Sequence, residues 1–248
     1  FVILAVLLIF LFIWNVNSGS IHLSVQEILN IIFRHQGDET SYNIVWEIRL
    51  PRILSVIILG GALSVSGFLL QTFFNNPIAG PFVLGISSGA KLIVAFLMIF
   101  LLSRSVSIGS GAMILAAFAG SMISMGFVLL VAKKVHNMSM LVISGVMIGY
   151  ICSAITDFVV TFADDSNIVN LHNWSLGSFS GMTWGNVRTM AVVVLLTMVI
   201  VFFMSKPISA YQLGETYAQN MGVNIKVFRI LLILLSSILS ACVTAFAG

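Results

Sequence analysis

The chain has 248 residues, 59% hydrophobic and 8% charged, with a formal net charge of +3. A soluble domain carries about a quarter of its residues as charges, so this composition excludes one and defines an integral membrane protein. The 11 Lys and Arg cannot build a nucleic-acid surface, and their slight excess over 8 acids is usual where cytoplasmic loops are positive.

In chain order, apolar runs long enough to cross a bilayer, about 17 to 25 residues each, occupy residues 1–16, 53–70, 82–102, 108–132, 138–162, 187–204 and 227–247. They predict seven spans. A signal peptide is the competing reading of the first, but NVNSGSIHLS after it lacks a small-x-small cleavage pattern, so it is read as a helix. Both ends of the chain fall inside apolar runs and read as cut.

The stretch from Arg49 to Lys91 is the most unusual. RLPR opens it, an apolar run follows, and QTFFNNPIAGPFVLGISSGAK then sets polar and helix-breaking residues beside membrane-grade apolar ones. Exposed to lipid, such a segment would leave backbone groups unpaired. It must be buried in protein or line a water-filled path. Lys91 at its end is read about ten residues into its helix, roughly 15 Å deep at 1.5 Å per residue. An intramembrane lysine is a functional candidate, while Asp157, near the outer end of the fifth run, is read as close to water; for both, local pairing or hydration is preferred to substrate contact.

Lys133 and Lys134 after the fourth run, Lys206, Lys226 and Arg229 after the sixth, and Asp164 and Asp165 after the fifth place the even-numbered exits in the cytoplasm and the N-terminus inside. Arg34, Arg49, Arg52 and Arg104 then lie outside, against the same bias. Glycines and serines recur along the spans, among them Gly60, Gly61, Ser64, Gly67, Gly120, Gly126, Gly145 and Gly149, as helix packing in a membrane requires.

No catalytic set can be assembled. No Ser/His/Asp order, HExxH or phosphate-binding GxxxxGK[ST] occurs, and the histidines are scattered. Cys152 and Cys242 sit in apolar runs without ligand partners, so neither a disulfide nor a metal site is expected. The chain is read as a non-enzyme with no cofactor. The second unusual region, Lys206 to Arg229, inserts a polar helical stretch between two spans. Gly214 and Gly222 would divide it into two short helices, with Ile208, Tyr211, Leu213, Ala218 and Met221 on an apolar face. A docking knob and an amphipathic loop resting on the membrane surface both satisfy that pattern.

RLPRIL, SGFLLQTFFNNPIAGPFVLGISSGA, WSLGSFSGMTW and LGETYAQNMGVN, in this order and spacing, closely resemble the FecCD-type permeases of ABC importers. The resemblance implies an all-α polytopic bundle, a type II ABC importer permease. Residues 1–248 would form a single permease domain with seven of the usual ten helices, and residues 206–226 its cytoplasmic coupling segment. It implies import of a metal chelate across the bacterial cytoplasmic membrane, an iron–siderophore complex first, with haem or cobalamin as alternatives. The implied partners are ABC ATPase subunits, an extracytoplasmic substrate-binding lipoprotein and a second, identical or similar, permease subunit. By resemblance, Leu213, Gly214, Glu215, Ala218, Met221 and Gly222 couple to the ATPase. Arg49 and Arg52 meet the binding protein, unless Arg52 only anchors its helix. Asn75, Asn76, Pro77, Pro81, Gly85 and Ser88 lie by the pathway, and Asn137, Met138 and Ser139 by the inner gate; Lys91 joins the pathway set on its depth in the helix and not on the resemblance. Structure alone could account for the Asn and Pro residues.

Overall fold

The computed structural model describes residues 2–17, 23–34, 38–82, 84–102, 110–132 and 138–248. Every regular element among them is helical. They form two compact units, Phe1–Ile58 with Phe179–Ala191, and Leu59–Ser178 with Val192–Gly248.

The first unit contains α1 (Val2–Asn17), α2 (Val25–Arg34) and α3 (Glu39–Asn43). α2 starts on a capping box. The Ser24 hydroxyl accepts from the Glu27 N–H at 3.2 Å, and Glu27 accepts from the Ser24 N–H at 2.8 Å. These bonds, the backbone one above all, hold the exposed Glu27 carboxyl below its ordinary pKa. After α3 the chain widens into a π-helical stretch, Ile44–Arg49, in which the Leu50 N–H reaches back to Val45 O. It then continues as α4 (Leu50–Phe74), which contributes to both units. Pro51 explains the widening, because its ring would meet the carbonyl four residues earlier in a regular turn. Val16, Leu23, Ile28, Ile31, Val45, Leu50 and Ile53 form this unit's core. Trp184 closes it, donating Nε1–H to Trp46 O at 2.8 Å with the two rings 5.3 Å apart.

The second unit adds α5 (Ile86–Leu102), α6 (Ser110–Ala132), α7 (Met138–Val160), α8 (Asp165–Ser175), most of α9 (Trp184–Phe203), α10 (Ser205–Gln212), α11 (Glu215–Asn220) and α12 (Ile225–Ala247). α5 packs on α6, α7, α8 and α12, and α12 also packs on α6. Lipid tails are as apolar as leucine, so these helices gain little by hiding apolar side chains from them. Close backbone approach and interhelical hydrogen bonds supply the attraction instead. α5 and α6 cross where a Cβ at Gly120 would collide with the Gly89 carbonyl oxygen, and one at Gly89 would lie 2.6 Å from Gly120 O. α4 is joined to α12 by buried hydroxyls. Ser66 Oγ bonds Ser236 O at 2.9 Å, Ser236 Oγ at 2.8 Å and Ser240 Oγ at 2.9 Å, while Ser236 Oγ donates to Ser66 O at 3.1 Å.

Five helical stretches among the described residues are long and apolar enough to cross a membrane: Glu39–Phe74, Ala112–Val131, Met140–Val160, Trp184–Phe203 and Ile225–Ala247. Val2–Asn17 and Ile86–Ile99 are shorter apolar helices. The chain is therefore a polytopic all-α membrane bundle. The third run is shorter than its apolar composition suggested, because Pro81, Phe82, Leu84 and Gly85 lie in turns and the helix begins only at Ile86.

Gly120→Val should lower the stability of the protein in detergent by about 1–3 kcal/mol, since the Gly89 backbone as well as the Ile93 side chain would have to move to make room. A thermal unfolding series checks this, with Gly126→Val as the control. A Cβ at Gly126, on the same helix, meets nothing within 4 Å, and that variant should unfold close to the parent temperature.

Candidate functional site

The candidate coupling segment is built from two helix stops and one helix start. α10 ends as the Gly214 N–H turns back to Tyr211 O, and Gly214 adopts φ +130°, which separates α10 from α11. α11 has only six residues. It stops at Gly222, φ +85°, with the Gly222 N–H on Gln219 O at 2.9 Å and the Val223 N–H on Ala218 O at 3.0 Å. That pair of bonds is the Schellman closure, which needs a residue in the left-handed region. Asn224 then caps α12, its side chain accepting from the Val227 N–H at 3.3 Å.

Each residue of LGETYAQNMGVN that sequence reasoning singled out has a separate place here. Ala218 is fully buried, as is Ile208 on α10, and they form the inward face. Leu213 and Met221, expected on that face, instead point outward at 72% and 64% exposure. With Ser205, Lys206, Ser209 and Tyr217 they line a groove of about 400 Å³. Glu215 is engaged inside the chain. Its Oε2 accepts from Arg229 Nη2 at 2.9 Å, and Arg229 Nε donates to the Tyr211 hydroxyl at 3.1 Å. Tyr217 and Arg229 were missed as site residues. No spacing in the sequence pairs Arg229 with Glu215, 14 residues before it.

The Asn-Pro segment is an ordered turn. Asn75 takes φ +47° and closes α4, its N–H on Thr72 O and the Asn76 N–H on Gln71 O. Asn76 Oδ1 accepts from the Ile78 N–H at 3.0 Å, and Gln71 Nε2 donates to Pro77 O at 3.1 Å. Freed backbone groups are thus satisfied locally. Gly85, φ +71°, is buried against α7, where an added Cβ would lie 2.8 Å from the Gly149 backbone, and its carbonyl accepts from Ser124 Oγ at 2.9 Å. Ser88 is half-buried on α5. Lys91, also half-buried, is the sixth residue of α5. It stands about 8 Å along the helix rather than about 15 Å, because α5 begins after the Gly85 turn. Asp157 is exposed. The expected gate lies outside the description: Asn137 is not among the described residues, nor are the side chains of Met138 and Ser139, although both belong to the first turn of α7. Lys133, Lys134 and Arg104 likewise lie outside the described residues.

Arg49 and Arg52 separate. Arg49 is buried and its Nη1 donates to Val16 O at 2.6 Å, tying the π-helical stretch to the end of α1. Arg52, three residues on, is exposed. Among the described residues no group of three His, Cys, Asp or Glu could hold a metal ion.

Apolar helices joined through glycine crossings and buried hydroxyls, with a braced polar segment between two spans, define a multi-pass membrane protein. The chain belongs to the FecCD transport family, whose model matches residues 7–248. It is 30% identical over 99% of its length to the hemin transport system permease protein HmuU of Yersinia pestis, of which it covers 72%. It is 33% identical over 82% of its length to the vitamin B12 import system permease protein BtuC of Salmonella typhi, and it spans 61% of that relative. A metal-chelate type ABC transporter solved in an inward-facing conformation superposes with a TM-score of 0.84 at 26% identity, over 99% of this chain and 74% of that one. Proteins of this kind are non-catalytic permease components of ABC importers. They work with separate ATPase subunits, a substrate-binding protein and a second permease subunit.

Replacing Arg49 by Met should cost about 1.5–3 kcal/mol, the worth of a buried bond to a charged group. Arg52→Met should leave stability unchanged. Thermal unfolding of the two variants in detergent checks the difference.

Proposed function

We propose that this chain supplies half of the translocation pathway of a binding-protein-dependent ABC importer in a bacterial cytoplasmic membrane, and that its cargo is a metal chelate of the haem or cobalamin class. The carrying observation is the α10–α11 segment, in which two apolar side chains are held out of a braced turn between two apolar helices. That is the form a mechanical contact with a separate subunit requires. Ferric siderophore was the first expectation from sequence, but the named relatives carry hemin or vitamin B12, which favours a planar macrocyclic chelate.

In this reading residues 1–248 are one permease domain with seven spans, the two shorter apolar helices included, and the N-terminus faces the cytoplasm. Leu213, Gly214, Glu215, Ala218, Met221 and Gly222 form the coupling segment. Partner ATPase subunits close on ATP, α10 and α11 are pushed as a body, and the permease halves rotate against each other. The cargo crosses inside its chelator, because hard-oxygen or His/Cys ligands for a naked ion are not clustered among the described residues. Arg52 can meet an acidic rim on the binding protein, while Arg49 holds the turn beneath it. Asn75, Asn76, Pro77, Gly85, Ser88 and Lys91 border the pathway on this reading, with Met138 and Ser139 at its inner gate.

A deletion strain complemented with the full-length gene should regain uptake of labelled haemin or cobalamin, measured in whole cells, and show little uptake of a panel of ferric siderophores. Restored siderophore uptake without haemin or cobalamin uptake would reverse the cargo assignment.

A further inference from the structure

The structure assigns to Arg229 the task of setting the angle at which α11 is presented, an inference that rests on the coupling role proposed for this segment. α11 is six residues long and is joined to its neighbours through Gly214 and Gly222, both in backbone conformations with positive φ. A Cβ at either glycine would meet nothing within 4 Å. Neither joint is therefore clamped by side-chain packing; local backbone hydrogen bonds close each turn, and a short helix on two such joints needs a further hold from a neighbouring helix if it is to transmit a push.

Ala218 supplies one fixed point, buried completely, and a single point leaves rotation free. Arg229 supplies the second. One guanidinium makes three contacts. Nη2 donates to Glu215 Oε2 at 2.9 Å, Nε donates to the Tyr211 hydroxyl at 3.1 Å, and Cζ stands 5.9 Å from the centre of the Tyr211 ring. Tyr211 is itself held against Phe228, ring centres 5.1 Å apart. Glu215 lies on α11, Tyr211 on α10 and Arg229 on α12, so one planar fork joins the two short helices to the base of the long one. A lysine is a point charge on a flexible stem and could not meet both partners in fixed directions.

The pair is partly exposed, 33% for Arg229 and 43% for Glu215. Ion pairs in such surroundings contribute little to folding, so its loss should leave the protein folded while freeing α11 to turn. It also changes what Glu215 does. Its carboxylate is used within the chain, and the surface left for a partner is Leu213, Tyr217 and Met221. Arg229 is in this sense a positioning residue, acting through Glu215 and Tyr211.

The test is a charge exchange in the full-length permease, titrated in detergent with its purified ATPase subunit. Glu215→Arg and Arg229→Glu should each weaken ATPase binding by roughly tenfold, within the range by which residues remote from a ligand modulate coupling. The double variant, with the pair reversed, should return to within about threefold of the parent. All three should unfold at the parent temperature. A double variant no better than the worse single one, or Arg229→Glu binding as the parent does, would overturn the assignment. Leu213→Asp separates this from the underlying reading. If Leu213→Asp loses the ATPase while Arg229→Glu keeps it, only the positioning role fails; if Leu213→Asp also binds normally, the coupling role of the whole segment fails with it.

Discussion

Backbone proximity governs this membrane protein. Where the Gly89 carbonyl lies against Gly120, α5 and α6 approach until no side chain separates them, and dispersion between backbones replaces the solvent-driven attraction that a soluble core would use. The same rule acts where Gly85 meets Gly149 and where Leu84 lies against Gly145. α5 is consequently held at its start by α7 and along its length by α6, and the turn before it is fixed by Ser124 on the Gly85 carbonyl. The turns at Asn75 and Gly85 have their polar groups paired within the protein, through Gln71, Thr72 and Asn76 at the first and Ser124 at the second.

α12 carries that packed core to the α10–α11 segment. Thirteen of its residues are buried, its middle is bonded to α4 through Ser66, Ser236 and Ser240, and its base holds Arg229. A displacement delivered to α11 therefore meets a helix already fixed to its neighbours by hydroxyl bonds and close packing. Such interhelical bonds are individually modest, about 0.6 kcal/mol each. Their value here lies in direction, since three serines on two helices permit one register.

The membrane class and the helical runs were legible because composition and run length alone decide them. The glycine punctuation at Gly214 and Gly222 was legible too, since a polar stretch between two such glycines reads as a short helix. The orientation of Leu213 and Met221 was not. Both sit at the C-terminal ends of short helices, Leu213 after α10 and Met221 after α11, where periodicity no longer assigns a face. Arg229 was hidden for a different reason: it lies 14 residues from Glu215 in sequence, and only the reversal between α11 and α12 brings them together. The burial of Arg49 depends in the same way on a carbonyl 33 residues away. The capping box Ser24–Glu27 was readable as SVQE, but it was obscured by its position in a flank weighed as a cleavage region.

On the proposed reading, transport is driven from outside the chain, through the α10–α11 segment. Reconstitution of the full-length permease in vesicles, with its binding protein supplied at the outer face, measures this directly. ATP-dependent accumulation of haemin or cobalamin that appears only when the ATPase subunit is included is the expected result. Accumulation driven by an imposed ion gradient without any ATPase would contradict it.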